Sequence, residues 1–213
     1  MASTRSKFIV ALIVTTSGYV AYKYFSHSDT FEGKRRADVK TNIASGKPQV
    51  FNIPQLYEYL LPMNEFMEDN VRHETPRTII ENDNVTVTCW LYTYNCQDDN
   101  DFHLIIGSAP LKDDAQFFSA EVSGLPSEDS PNYKYYDRLE KAREQFGDLF
   151  GGSPSYSGAY VKSLYANPMK VTITGSLFWD TEHTGGKCCS GTGEYKSESP
   201  WEIHPVTSIK KAN

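Results

Sequence analysis

The stretch over residues 169–179 most constrains the fold, because Val171, Ile173, Gly175, Leu177 and Trp179 alternate with Lys170, Thr172, Thr174 and Ser176. A period of two puts each set on its own face, so the sequence predicts a strand with one buried side. Four further segments read the same way. Val85, Val87, Cys89 and Leu91 alternate with Thr86, Thr88, Trp90 and Tyr92 within residues 79–94, and β-rich runs follow at 102–107, 116–122 and 201–209. One segment has a helical period instead. Tyr136, Leu139, Arg143, Phe146 and Leu149 share a stripe, with Ser130 as the expected cap, Pro131 at the first helical position and Gly151-Gly152 as the stop.

Three strands, a helix and two strands is the order of a five-stranded, OB-fold-like Greek-key barrel, whose helix lies between strands three and four. The expected class is mainly β with one long helix; an antiparallel sandwich with an inserted helix would give the same order. Four regions follow: an anchor over 1–25, a linker over 26–49, a helical cover over 50–78 and the OB-fold-like domain over 79–213. Within the cover, Ile53, Leu56, Tyr57, Leu60 and Leu61 fall at helical spacing until Pro62 interrupts them.

Charge divides the chain. Residues 1–47 carry eight Lys/Arg against three Asp/Glu, and residues 48–213 carry thirteen against twenty-four. Nucleic-acid binding draws most of its affinity from cations that neutralise phosphates, so the acidic body argues against that partner. Residues 8–22 are uncharged, follow Arg5 and Lys7, and are bounded by Lys23, Tyr24 and Phe25. As a helix, residues 8–25 would reach roughly 27 Å, enough to span a bilayer core if Lys23 reaches the headgroups. The sequence therefore predicts a transmembrane signal anchor with the body exported to the periplasm or cell surface; a cleaved signal and an organellar presequence are the alternatives. The segment 26–49 is polar and without apolar periodicity, as expected of a tether.

The chemistry sits where histidines adjoin acids. Asp98, Asp99 and Asp101 lie in the loop between the first two strands, and His183, Cys188 and Cys189 in the loop between the last two, the loops that border the ligand face of such a barrel. Alternation places Asp101 with His103, and Glu202 with His204, on common faces. With Asp180 and His183, these residues are expected to converge on one rim: Asp101, His103, Asp180, His183, Glu202 and His204. Three chemistries fit the cluster. It can hold a divalent metal, zinc or calcium, through His103, His183 and His204; it can perform acid–base catalysis; or it can be a mutually satisfied polar network, the commonest state of buried His and Glu. The run Asp98-Asp99-Asn100-Asp101 lacks the glycine and distant glutamate of an EF-hand.

The positions Asp101 and His103-Leu104, then Val171-Thr172-Ile173-Thr174-Gly175 running to Phe178-Trp179-Asp180 and His183, then Glu202-Ile203-His204-Pro205-Val206 form a pattern. From about Val85 onward it resembles a group of bacterial exported or membrane-anchored OB-fold-like proteins without an assigned activity. The resemblance covers over half the chain and implies fold and export, with no activity to carry over. The Cys188-Cys189 loop and the tyrosine-rich helix start depart from it.

Four cysteines allow three full pairings. Adjacent cysteines rarely bond to each other, so a bridge from Cys96 to Cys188 or Cys189 is expected, with zinc ligation beside His103 or His183, or buried thiols, as alternatives. Trp90, Trp179 and Trp201 are candidates for a stacking platform, although Trp179 and Trp201 are in phase with inward positions. No phosphate loop, dinucleotide fingerprint, zinc-protease helix or nucleophile elbow is present. The expected function is a membrane-tethered, exported binding or assembly module that engages a protein partner or an oligomeric ligand. A metal-dependent hydrolase of nuclease type and oligosaccharide binding are the alternatives.

Overall fold

The computed structural model describes residues 9–14, 20–25, 29–34, 36–152, 154–184 and 188–213. In chain order these form β1 (Ile9–Val14), β2 (Val20–Phe25), α1 (Ala37–Lys40), β3 (Gln49–Phe51), α2 (Ile53–Leu60), α3 (Asn64–Asn70), β4 (Asn84–Cys96), β5 (Phe102–Gly107) and β6 (Phe117–Val122). Then come α4 (Tyr136–Asp148), β7 (Met169–Trp179), the short pair β8 (Gly191–Thr192) and β9 (Tyr195–Lys196), and β10 (Trp201–Lys211).

Five strands close into a barrel. β4 pairs antiparallel with β5, β5 with β6, β10 with β7, and β7 with β4, while β6 and β10 run parallel with Glu202 opposite Ser119. β3 adds a sixth strand, parallel to the start of β4. Closure depends on the length of β4, whose first part pairs with β7 and whose last part pairs with β5. A register shift between Leu91 and Thr93 bends the strand where it changes partner. Its inward set moves accordingly from Val85, Val87, Cys89 and Leu91 to Tyr94 and Cys96. Tyr92 is left on the outside, packed with Ile105 and Phe117.

A second irregularity lies in β10, where the inward residues run Trp201, Ile203, Val206 and Ile209 across register shifts on both sides of Val206. Pro205, which has no N–H to give a ladder, falls in this irregularity. The facing position on β7 is Gly175, where an added Cβ would lie 2.6 Å from both Ile203 Cγ2 and the Pro205 carbonyl oxygen.

The helix between β6 and β7 packs on β10 and β6, as its place in the order predicts. Phe146 sits against Tyr94, Phe102 and Phe150, with ring centroids 5.0, 4.9 and 5.3 Å apart. Arg143, the charge in an otherwise apolar stripe, donates to the carbonyls of Asn100 and Ser123 and to Asp29 Oδ1. The helix starts at Tyr136, not after Ser130. The Ser130 hydroxyl is used inside a turn, where it accepts from the Asn132 N–H at 3.1 Å, and the buried Asn132 side chain is held by Asp38 O and Thr41 Oγ1.

The cover is two helices, as Pro62 requires: α2 and α3 flank a 3-10 turn over Leu61–Met63. Asn52 and Gln55 form a reciprocal capping box at the start of α2. Ile53, Leu56, Leu60 and Met67 join the barrel core.

Two expectations about the N-terminal region change. The anchor expected over residues 8–25 lies partly outside the described residues, and Ile9–Val14 and Val20–Phe25 pair as antiparallel strands instead of forming one helix. Both runs are rich in β-branched and aromatic residues, which suit strands. No helix among the described residues is long and apolar enough to cross a membrane. The expected linker, where described, is a strap bound to the barrel. Its backbone exchanges hydrogen bonds with Leu125, and Val39, Ile43 and Ala44 are buried. Arg36 donates to both oxygens of Glu81 at 2.7 Å. Arg77 donates to the carbonyls of Val39, Asn42, Glu81 and Leu177.

Candidate metal centre

Phe102 and Leu104 point into the barrel from β5, as do Ala120 and Val122 from β6, Trp179 from β7, and Trp201 and Ile203 from β10. Their sequence neighbours therefore point outward: Asp101 and His103, Glu121, Asp180, and Glu202 and His204. All six residues expected from the sequence come together, at the end of the barrel where β5 and β10 begin and β6 and β7 finish, on the outward-facing side of the wall. Asp101, His103, Asp180, Glu202 and His204 are nevertheless buried, because the strap, the loop after β4 and the loop after β7 cover that wall, while His183 is partly exposed. Asp101 and Glu202 are each 1% exposed and His204 is 0% exposed.

The register sets the contacts. His103 lies directly across from Glu121. His204 Nδ1 is 2.7 Å from Glu121 Oε2 and 3.9 Å from Glu202 Oε2, while its Nε2 is 3.4 Å from Asp101 Oδ2. Asp101 Oδ1 accepts the Gly124 N–H at 2.6 Å. His183 Nδ1 bonds Asp180 Oδ2 and is 3.2 Å from Ser190 Oγ, whose hydroxyl donates to Glu202 Oε1 at 2.8 Å. His103 Nδ1 meets the Tyr160 hydroxyl at 2.8 Å.

Two residues at the heart of the cluster escaped the sequence reading. Glu121 alternates with Phe118, Ala120 and Val122 like any solvent-facing residue, so nothing local separates it from a surface acid. Lys40 comes from the strap, with its Nζ 3.5 Å from Asp99, 3.8 Å from Asp101 and 3.7 Å from Glu121. Its signal was the pair Arg36 and Lys40, one helical turn apart, each of which ends beside a buried acid.

Burial and mutual repulsion set the protonation. Burial, with the charges of Asp99 and Glu121 nearby, pushes Asp101 well above the usual carboxylate range; burial, Glu121 and Asp180 do the same to Glu202. Burial works the same way on Glu121, but the positive charge it faces, Lys40 foremost, outweighs it and holds that carboxylate well below its ordinary range. For Lys40, burial opposes the charge and is overcome by Glu121, Asp101, Asp99 and Glu202. Burial lowers His103 and His204, which favours neutral imidazoles with a lone pair to offer, whereas the bond to Asp180 raises His183.

Many of these atoms are unpaired. Among the described residues Asp101 Oδ2, His103 Nε2, Glu121 Oε2, Glu202 Oε2 and both His204 nitrogens are buried without a hydrogen-bond partner. Close approaches such as His204 to Glu121 lack hydrogen-bond alignment. All but His103 Nε2 lie within 4 Å of an opposite charge or of an imidazole–carboxylate partner, so the cluster is dense in polar atoms whose hydrogen-bonding capacity is only partly used. Three overlapping groups have ligand atoms within 4.8 Å of one another and can hold a metal ion: Asp101, Glu121 and His204; His103, Glu121 and Glu202; Asp180, His183 and Glu202. A cleft of about 380 Å³, lined by Lys34, Lys40, Asp99, Phe178, Asp180 and Thr181 among others, opens onto the cluster.

The cysteines are arranged differently from expectation. Cys188 and Cys189 lie side by side in the loop after β7, and Cys89 and Cys96 are buried thiols. Cys96 belongs to the barrel interior and Cys188-Cys189 to the loop outside, so the sheet separates the proposed partners and also keeps Cys96 from ligating beside His103. Trp179 and Trp201 pack edge to face in the core at 5.1 Å, which removes them from any stacking platform; Trp90 is partly buried beside the Tyr92 cluster. No protein-family model matches this chain, and no curated protein or solved structure matches it.

Proposed function

We propose that this chain is an OB-fold-like module whose function depends on a divalent metal, held against the outer wall of the barrel by residues from Asp101, His103, Glu121, Asp180, His183, Glu202 and His204. The observation that carries this reading is the set of buried ligand atoms without a hydrogen-bond partner at the convergence of β5, β6 and β10. Leaving one such group unpaired costs about 1–3 kcal/mol, and more where it is charged. A cation that joins several of them offsets that cost at once.

The donor set selects the ion. Each group contains one imidazole and two carboxylates. Calcium prefers six to eight oxygens, whereas imidazole suits zinc and its transition-metal neighbours, so zinc or manganese fits better than calcium. Isothermal titration of the metal-stripped full chain should show zinc or manganese binding and little calcium binding, and His103→Ala should weaken it. Equal heats from His103→Ala and the parent, or no heat from any ion, would overturn the reading.

A second reading, metal-dependent hydrolysis, is favoured by the cleft. A bound ion supplies a water of lowered pKa, and the cleft gives a small substrate access to it. Acids outnumber bases along that cleft, which favours a neutral or cationic ester over a polyanion. Hydrolysis of such esters, dependent on zinc or manganese and lost in Glu202→Gln, supports it; inactivity across neutral, cationic and phosphate esters with every ion counts against it. Arg5 and Lys7 ahead of the uncharged stretch support delivery of this module to a membrane. Retention in the membrane fraction after carbonate washing checks that part, and release counts against it.

A further inference from the structure

We propose that the centre is dinuclear, with Glu202 as the carboxylate that bridges two ions. One ion takes His103, Glu121 and Glu202; the other takes Asp180, His183 and Glu202. This inference rests on the metal-centre reading above and specifies its nuclearity.

Glu202 carries the argument. The two groups share it. Oε1 is turned toward the loop after β7, where it accepts from Ser190 Oγ, itself 3.2 Å from His183 Nδ1. Oε2 is turned toward the sheet, 3.9 Å from His204 Nδ1, and has no hydrogen-bond partner among the described residues. A carboxylate shared by two donor groups, with one oxygen on the side of the loop and the other on the side of the sheet, suits a pair of ions a few ångströms apart.

The second, independent observation is His103. It is 4% exposed, its Nδ1 is engaged by Tyr160, and its Nε2 is buried and unpaired in the group that contains Glu121 and Glu202. A histidine fixed at one nitrogen by a hydrogen bond presents the other as a ligand.

The third group, Asp101, Glu121 and His204, already has a cation. Lys40 Nζ lies 3.8 Å from the Asp101 carboxylate and 3.7 Å from that of Glu121. The lysine neutralises part of that group's charge from within, and the two ions are therefore placed on the groups that share Glu202.

The test is metal stoichiometry of the full chain after manganese loading and gel filtration, with electron paramagnetic resonance to detect spin coupling. The parent should retain two manganese ions per chain with an exchange-coupled spectrum. Glu202→Gln, which keeps the shape of the side chain, should lose the coupling. His183→Ala, at a side chain 37% exposed and so tolerable to the fold, should retain one uncoupled ion. One uncoupled ion in the parent, unchanged in His183→Ala and lost in His103→Ala, would overturn the dinuclear inference and leave the metal centre standing. No retained ion in the parent would overturn both.

Discussion

His103 and Tyr160 show how a single contact can decide what a side chain offers. When Nδ1–H donates to the Tyr160 oxygen, Nε2 carries the lone pair that faces Glu121 and Glu202. Tyr160 is thus a positioning residue, and Tyr160→Phe removes the hydroxyl that engages Nδ1 with little change in volume. The expected result is a ~10–100-fold weaker affinity for zinc or manganese. Titration calorimetry measures it against the parent; unchanged affinity would assign Tyr160 to packing alone. Asp101, His103, Glu202 and His204 were legible at this scale, because alternation within a strand puts residues two apart on one face. Glu121 was not legible, because its importance comes from standing across from His103, and pairing across strands is a property of register.

Gly175 illustrates the element scale. Here β7 passes so close to the irregular stretch of β10 that a methyl group would strike Ile203 and the Pro205 carbonyl. Gly175→Ala should destabilise the protein by ~1–3 kcal/mol, the usual cost of overpacking, and chemical denaturation reads it. A neutral result would mean that the β10 irregularity yields easily. Strand positions were legible because five alternating runs survive in the sequence. The irregularities were not, since a shift of register leaves composition unchanged and only the partner strand reveals it. The strap was misread for a related reason: Val39, Ile43 and Ala44 are too few to make a periodic signal, and Arg36, Lys40 and Arg77 look like solvated charges until their acceptors are placed.

The strap's main clamp is Arg36 on Glu81, and both side chains are almost wholly buried. Removing one partner leaves the other charge stranded, so Arg36→Leu should cost ~3–5 kcal/mol, and the double change Arg36→Leu with Glu81→Leu should recover much of it. Additive losses in that cycle would show that the pair acts independently. The clamp also has a pH signature. Burial alone would raise Glu81, but the hydrogen bonds and charge of Arg36, with the N–H groups of Thr78 and Trp179, hold it below its ordinary value. The folded state then binds fewer protons than the unfolded chain near the ordinary glutamate pKa of about 4.3. Its stabilisation is fully present above that pH and is lost as pH falls through the lower folded value. Urea midpoints measured between about pH 6 and 3 should fall more steeply for the parent than for the double variant.

Over the whole molecule, the barrel interior is apolar and complete, while the wall under the strap collects Asp99, Asp101, Glu121, Asp180 and Glu202 against Lys40 and three imidazoles. That concentration of acid opposes folding, and an ion that binds only the folded chain relieves it. With free metal at a hundred times its dissociation constant, one site adds about 2.7 kcal/mol. For a chain in the 150–250-residue range each kcal/mol shifts the midpoint by about 2–4 °C. Zinc or manganese should therefore raise the melting temperature by roughly 5–10 °C for each ion bound, and a chelator should reverse it. Lys40→Met makes the comparison specific. Removing the internal cation should lower the stability of the stripped protein and enlarge the metal-induced shift, because more uncompensated charge is then left for the ion to neutralise. A shift that is the same with and without Lys40 would mean that the lysine and the metal do not act on the same carboxylates.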